Sequence, residues 1–235
     1  MSVGRHGVSL VIQKVKRDPS YEIDPAISAG DVAREVTRRG VGAARGSVVL
    51  RGVKGGRLRF AERGVEIRHR RHLQVGDGSV IEAYARLHCL SRDGFRLGNR
   101  VTIGKFSIIE ATGVLWLMGR GCSIGDDSSL GDYGFIGAAG GVTIGRRVMM
   151  GQRVSIHSQN HNFDRTDIPI QQQGVHSQGV TIADDCWIGS GAIILDGVQL
   201  GTGCVVSAGA VVTSSFPANS VIAGVPARLL KTRGE

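Results

Sequence analysis

Ile182, Ile188, Ile194, Leu200, Val206 and Val212 stand six positions apart in a chain of 235 residues. Strand alternation repeats every two residues and an α-helix every 3.6, so a sustained period of six belongs to neither; it marks a hexapeptide parallel β-helix. Each hexapeptide makes one short strand and one turn, and three make a coil of roughly 18 residues that stacks on the next. The aliphatic residue points inward, and the position four later must be slim, as Cys186, Ala192, Val198, Cys204 and Ala210 are. The position after each aliphatic lies at a corner, where Gly98, Gly104, Gly125, Gly131, Gly137, Gly145, Gly151, Gly189 and Gly201 are expected to supply unusual backbone dihedrals.

The same spacing recurs in Leu97, Ile103, Ile109 and Leu115, in Ile124, Leu130 and Ile136, and, after a phase slip, in Ile144, Met150 and Ile156. Fainter rungs near Ile67 and Val75 place the start of the solenoid between residues 45 and 75. Upstream, residues 26–44 read as a helix that Ser28 or Asp31 caps, with Val32, Val36 and Val41 on one side and Gly40 and Gly42 ending it. Covering the open end of the solenoid is its expected role.

Charge is uneven: residues 1–120 hold 22 Lys and Arg against 11 Asp and Glu, whereas residues 121–235 hold 7 against 9. A basic half attracts an anionic glycan or an anionic membrane surface. Nucleic acid is disfavoured, because no interleaving of aromatic and basic residues accompanies the charge. Apolar runs such as Val114 to Met118 fall far short of the roughly 20 residues that span a bilayer, and residues 1–16 carry no secretory signal pattern, so a cytoplasmic location is expected. Cys89, Cys122, Cys186 and Cys204 form no CxxC pair and read as buried thiols.

Function is most legible where the period fails. After Ile156 the repeat stops and resumes near Val180, leaving residues 157–179 as a long polar excursion that holds His157, His161 and His176. An interruption of that length in a solenoid is usually functional or disordered, and a pure scaffold would have little use for its three histidines.

Over residues 97–233 the chain resembles the hexapeptide-repeat acyltransferases, in the branch of maltose and galactoside O-acetyltransferases and of colanic-acid and capsule acetyltransferases. The resemblance rests on the rungs, the histidine-bearing loop, the run Trp187-Ile188-Gly189-Ser190 and the closing run Ala223-Gly224-Val225-Pro226-Ala227-Arg228. It implies an all-β fold, a left-handed parallel β-helix, to which the helix pattern upstream, outside the resemblance, adds a short N-terminal helical or irregular cap. The cap would span residues 1–45 and the acyltransferase domain residues 46–235, with its active-site loop at 157–179 and a C-terminal tail.

The resemblance further implies a homotrimer with acetyl-CoA as acyl donor in grooves between subunits, no metal, and a loop histidine as general base. His161 falls at that histidine's place. Imidazole, with an unperturbed pKa near 6.5, takes a proton at neutral pH. The donor-site residues that carry over are Trp187, Ser190, Ala208, Thr213, Ser214, Arg228 and Lys231. Ser214 stands where some relatives have a lysine. On the acceptor side, relatives use an asparagine, whereas this chain offers Asp132 and Tyr133. The function implied is O-acetylation of a sugar or polysaccharide precursor in exopolysaccharide, capsule or O-antigen synthesis. Rivals are another small acceptor (an antibiotic, an amino sugar or serine) and a zinc-dependent γ-type carbonic anhydrase using His157, His161 and His176.

Overall fold

In the computed structural model, which describes residues 13, 20–111, 114 and 117–234, the period becomes three parallel sheets that form the walls of a prism. The first runs from Lys54–Gly55 to Gln199–Leu200, the second from Phe60–Ala61 to Ala227–Thr232, and the third from Glu66–Arg68 to Val211–Val212. Each coil contributes one strand to every wall, as Val180–Ile182, Trp187–Ile188 and Ile193–Ile194 do. The in-register pairs Ile144 with Ile182, Met150 with Ile188 and Ile156 with Ile194 stack like residue over like. Leu115 lies outside the described residues.

The aliphatic column fills the prism: Ile103, Ile109, Ile136, Ile156, Ile182, Ile188 and Ile194 are fully buried. Burying each such side chain contributes about 1.5–3 kcal/mol. Cys186, Ala192, Val198, Cys204 and Ala210 occupy the slim inward slots, as their spacing predicts. In earlier coils serine takes that slot and satisfies itself: Ser128 Oγ donates to the Gly145 carbonyl and accepts from the Val148 N–H. All four cysteines are buried free thiols, and burial pushes Cys89 and Cys122 up to about 12.

The corner glycines serve a different purpose from the one their spacing suggests. Gly98, Gly125 and Gly131 are not left-handed; positive φ falls two residues later, at Arg100, Asp127 and Tyr133. The glycine is needed because a Cβ on Gly131 would lie 2.6 Å from the Gly151 carbonyl carbon of the next coil. Contacts below about 3 Å cannot form, so the tight stacking of coils excludes a side chain there. The left-handed corner residues are held instead by neighbouring coils, for example by Arg100 pairing with Asp127 and Arg147 with Asp185.

The N-terminal helix runs Ala29–Val49, past the expected limit at residue 45, and the first rung begins at Lys54. Ser28 caps it by accepting the Asp31 N–H. Gly40 and Gly42 do not end it. Gly42 and Gly46 are its buried residues, and a Cβ on Gly46 would sit 2.1 Å from the Arg59 carbonyl oxygen. The glycines therefore let the helix lie directly on the first coil, while Val36 and Val41 remain half exposed.

Candidate active site

The polar excursion leaves the prism at the corner between the third and first walls. Its entry is anchored by buried Ser158, whose Oγ donates to the Gly137 carbonyl and accepts from the Gly140 N–H. Its exit is fixed by Asp196, whose carboxylate accepts the N–H groups of Gln178 and Gly179 at 2.8–2.9 Å. Between these anchors the loop folds on itself: Asn160–His161 pairs antiparallel with Val175–His176. Asn162 accepts from His176 Nδ1 at 2.6 Å through its Oδ1 and donates through Nδ2 to the Gln173 carbonyl. Gln173 in turn bridges to the backbone of Arg165.

His161 is thus held by backbone pairing on an exposed hairpin, and its imidazole has no hydrogen-bond partner among the described residues. Asp167 does not orient it, because Arg165 engages that carboxylate. His157 sits back on the third wall, tilted against Phe135 at 5.3 Å with Nε2 2.7 Å from Ser155 Oγ, and burial lowers its pKa. Among the described residues no three His, Cys, Asp or Glu side chains gather into a metal-binding group. Within one chain, then, the three loop histidines do not converge as a zinc triad.

The residues expected at a donor site fall into two groups. Trp187 pairs with Val205, Val205 with Val221 and Val221 with Lys231, so Trp187 and Lys231 share one row of the second wall three strands apart. Ser190 and Ala208 follow at the corner between the second and third walls, where Gly189 lies against the Ala208 backbone. Arg228 stands on the last strand opposite Ala223. Thr213 and Ser214, by contrast, follow the third wall, at the same edge from which the His161 loop departs.

Trp187 is 54% exposed, and Arg228 and Lys231 also face solvent. One chain therefore presents the Trp187, Ser190, Ala208 and Lys231 group and the His161 loop on opposite edges of the third wall.

The two acceptor-side expectations separate. Asp132 Oδ1 accepts the Lys105 N–H of the preceding coil, a corner bond that Asp126 repeats with Asn99 and Asp184 with Arg146. Tyr133 stacks on Phe106, which stacks on Tyr84, with centroids 5.2 and 5.1 Å apart. Arg153 and Arg63 cover the two ends of this exposed stack. Sequence reasoning missed Asp196 and Ser158 because single polar residues at corners carry no period.

Residues 179–214 match the family described as bacterial transferase hexapeptide (six repeats). The repeat is a transferase hexapeptide repeat. A 2,3,4,5-tetrahydropyridine-2,6-dicarboxylate N-acetyltransferase of Staphylococcus aureus (strain JH9) is 48% identical over 56 residues. That stretch is 24% of this chain and 23% of that enzyme, so the match spans about a quarter of the relative's length.

Among solved structures, the hexapeptide-repeat chain is similar to AntD, an N-acyltransferase from Bacillus cereus. A mutant in complex with dTDP-4-amino-4,6-dideoxyglucose and coenzyme A gives a TM-score of 0.52 at 17% identity, covering 86% of this chain and 90% of that one. AntD with dTDP and 3-hydroxybutyryl-CoA gives 0.51 at 16% identity, covering 86% and 88%. At that identity the likeness is one of fold.

Proposed function

We propose that this protein transfers an acetyl group from acetyl-CoA to a sugar hydroxyl, in the cytoplasm, during synthesis of an exopolysaccharide, capsule or O-antigen precursor. The observation that carries the reading is the hairpin that holds His161 out from a corner of a transferase-type repeat. His161 takes the proton of the acceptor hydroxyl, and the oxygen attacks the thioester carbonyl. The tetrahedral intermediate collapses, the C–S bond breaks, and the imidazolium returns its proton to the departing thiolate. A positioned base of this kind supplies typically 10² to 10⁴ in rate.

The division of the donor group and the His161 loop between opposite edges of the third wall supports a homotrimer. In that assembly the loop of one subunit completes the groove of the next, and Trp187, Ser190, Ala208, Thr213, Ser214, Arg228 and Lys231 bind the donor. Arg228 and Lys231 suit its phosphates, and Trp187 offers an apolar face to its pantetheine arm. An amino-sugar acceptor is the second reading, favoured by the two relatives whose names specify N-acylation.

The test is thiol release from acetyl-CoA against a panel of sugars and amino sugars. Mass spectrometry before and after hydroxylamine, which cleaves esters and spares amides, identifies the bond formed. His161→Ala should lower turnover by about 10² or more while the acetyl-CoA dissociation constant stays constant. Normal turnover in that variant removes His161 from the chemistry.

A further inference from the structure

The excess of cations in residues 1–120 is not spread evenly over the prism. Along the corner between the third and first walls, the segments 68–72, 89–96 and 117–121 carry six arginines, Arg68, Arg70, Arg71, Arg92, Arg96 and Arg120, against Asp93, with two further acids, Glu66 and Glu110, on the bordering strands of the third wall. These segments belong to three successive coils: Cys89 N–H bonds the Arg68 carbonyl, and Asp93 N–H bonds the Arg120 carbonyl. All six arginines are exposed. Arg68 pairs with Glu66 and Arg120 with Asp93, whereas Arg70, Arg71, Arg92 and Arg96 have no ion pair among the described residues.

The corner then continues to the His161 loop. An open groove of about 250 Å³ lies where Arg96 and Arg120, the latter paired with Asp93 on the same lining, face Ser123, Thr143, Gln178 and Thr181. Its floor is backbone, because Gly94, Gly121, Gly141 and Gly179 stack there with positive φ and no side chains. Gln178 and Gly179 are the residues on which the loop rejoins the prism. With rungs about 4.8 Å apart, the row of arginines reaches from the second coil to the foot of the loop over roughly 15–20 Å. Cations in a row, ending in a groove of hydroxyls and amides, match a chain that carries carboxylates at intervals along a hydroxyl-rich backbone.

We propose that the arginine-lined corner and the groove at the foot of the His161 loop bind an anionic oligosaccharide and lead it toward the loop. This rests on the acyltransferase reading and narrows its acceptor to a carboxylate-bearing glycan. A membrane surface is less well matched, because the arginines follow an edge into a groove instead of spreading over a face.

The test is fluorescence anisotropy of a labelled oligogalacturonate with the full chain, without acyl donor, against a labelled uncharged galactan oligosaccharide. Binding should be selective for the charged chain and should weaken as salt rises. The triple substitution Arg70→Ser, Arg71→Ser and Arg92→Ser should weaken it about tenfold, which is about 1.4 kcal/mol. Arg57→Ser, Arg63→Ser and Lys105→Ser remove the same charge at the other two corners of the prism and should change it little. Arg96→Gln, a single substitution on an exposed strand position, should weaken binding by itself and guards against a misfolded triple variant.

Equal loss in both triple variants would overturn the proposal in favour of bulk charge. Equal affinity for the uncharged chain, or binding at these arginines of anionic vesicles or a nucleoside diphosphate but not of the oligogalacturonate, would also overturn it. Because no turnover is read, absence of acetyl transfer with selective binding intact would count against the enzymatic reading and leave the binding surface standing.

Discussion

Replacing glycine by alanine inside an α-helix ordinarily stabilises it by about 1 kcal/mol, because alanine loses less backbone freedom on folding. The helix Ala29–Val49 provides two such positions with opposite surroundings. A Cβ on Gly40 meets nothing within 4 Å, whereas one on Gly46 meets the Arg59 carbonyl oxygen at 2.1 Å and its carbon at 2.9 Å. Accommodating the second methyl requires the helix to retreat by about 1 Å from the first coil, a backbone clash at the upper end of the 1–3 kcal/mol range for overpacking.

Gly40→Ala should therefore stabilise the docked helix by about 1 kcal/mol, while Gly46→Ala should destabilise it by about 2 kcal/mol after the propensity gain is subtracted. Since the helix covers one end of a solenoid, its release is a local opening, and amide hydrogen exchange across residues 29–49 reads it directly. Exchange should slow about fivefold in Gly40→Ala and quicken about 30-fold in Gly46→Ala. Slower exchange in both variants would refute the view that Gly46 is present for close approach.

Ile156→Ala empties a fully buried rung position and should cost about 2–5 kcal/mol, read as a lower urea midpoint. Arg228→Ala with Lys231→Ala should weaken acetyl-CoA binding roughly tenfold, measured by calorimetry, with the unfolding midpoint little changed. The corner carboxylates set an acid limit: backbone hydrogen bonds from Asn99 and Arg146 hold Asp126 and Asp184 below the usual carboxylate range. The unfolded chain then binds more protons at low pH, so their contribution is complete above about pH 4 and is lost as pH falls further. Asp126→Asn should flatten part of that decline in thermal scans between about pH 4 and pH 2.

The period of six reveals which residues face inward, and the structure buries the rungs accordingly, from Ile67 and Val75 onward. What a period cannot convey is distance between coils. Gly131 and Tyr133 are two residues apart at one corner, yet the glycine answers to the neighbouring backbone and the tyrosine carries the positive φ. The helix signal failed at Gly42 for a related reason, since close approach to Phe60, continued at Gly46 by Arg59, outweighed the usual terminating tendency of glycine.

At the site, the break in the period marks the loop, but the bonds that shape it join residues with no fixed spacing. Asn162 reaches His176, Gln173 reaches Arg165, and Asp196 closes the exit from the following coil. The separation of Trp187 and Ser190 from the His161 loop by a whole wall is likewise a property of the sheets and has no counterpart in sequence distance.

The pairing along the first wall has a consequence for how such a protein can change. Ile182 pairs with Leu200, 18 positions on, yet Ile144 pairs with Ile182, 38 positions on, and Phe95 with Cys122, 27 on. The stack keeps its pitch whatever length of chain is spliced into that one edge, because the strands on either side are clamped by their own neighbours. The edge therefore behaves as a socket: an insert between Ser158 and Gln178 can be exchanged while the prism beneath it, Asp196 included, stays the same part.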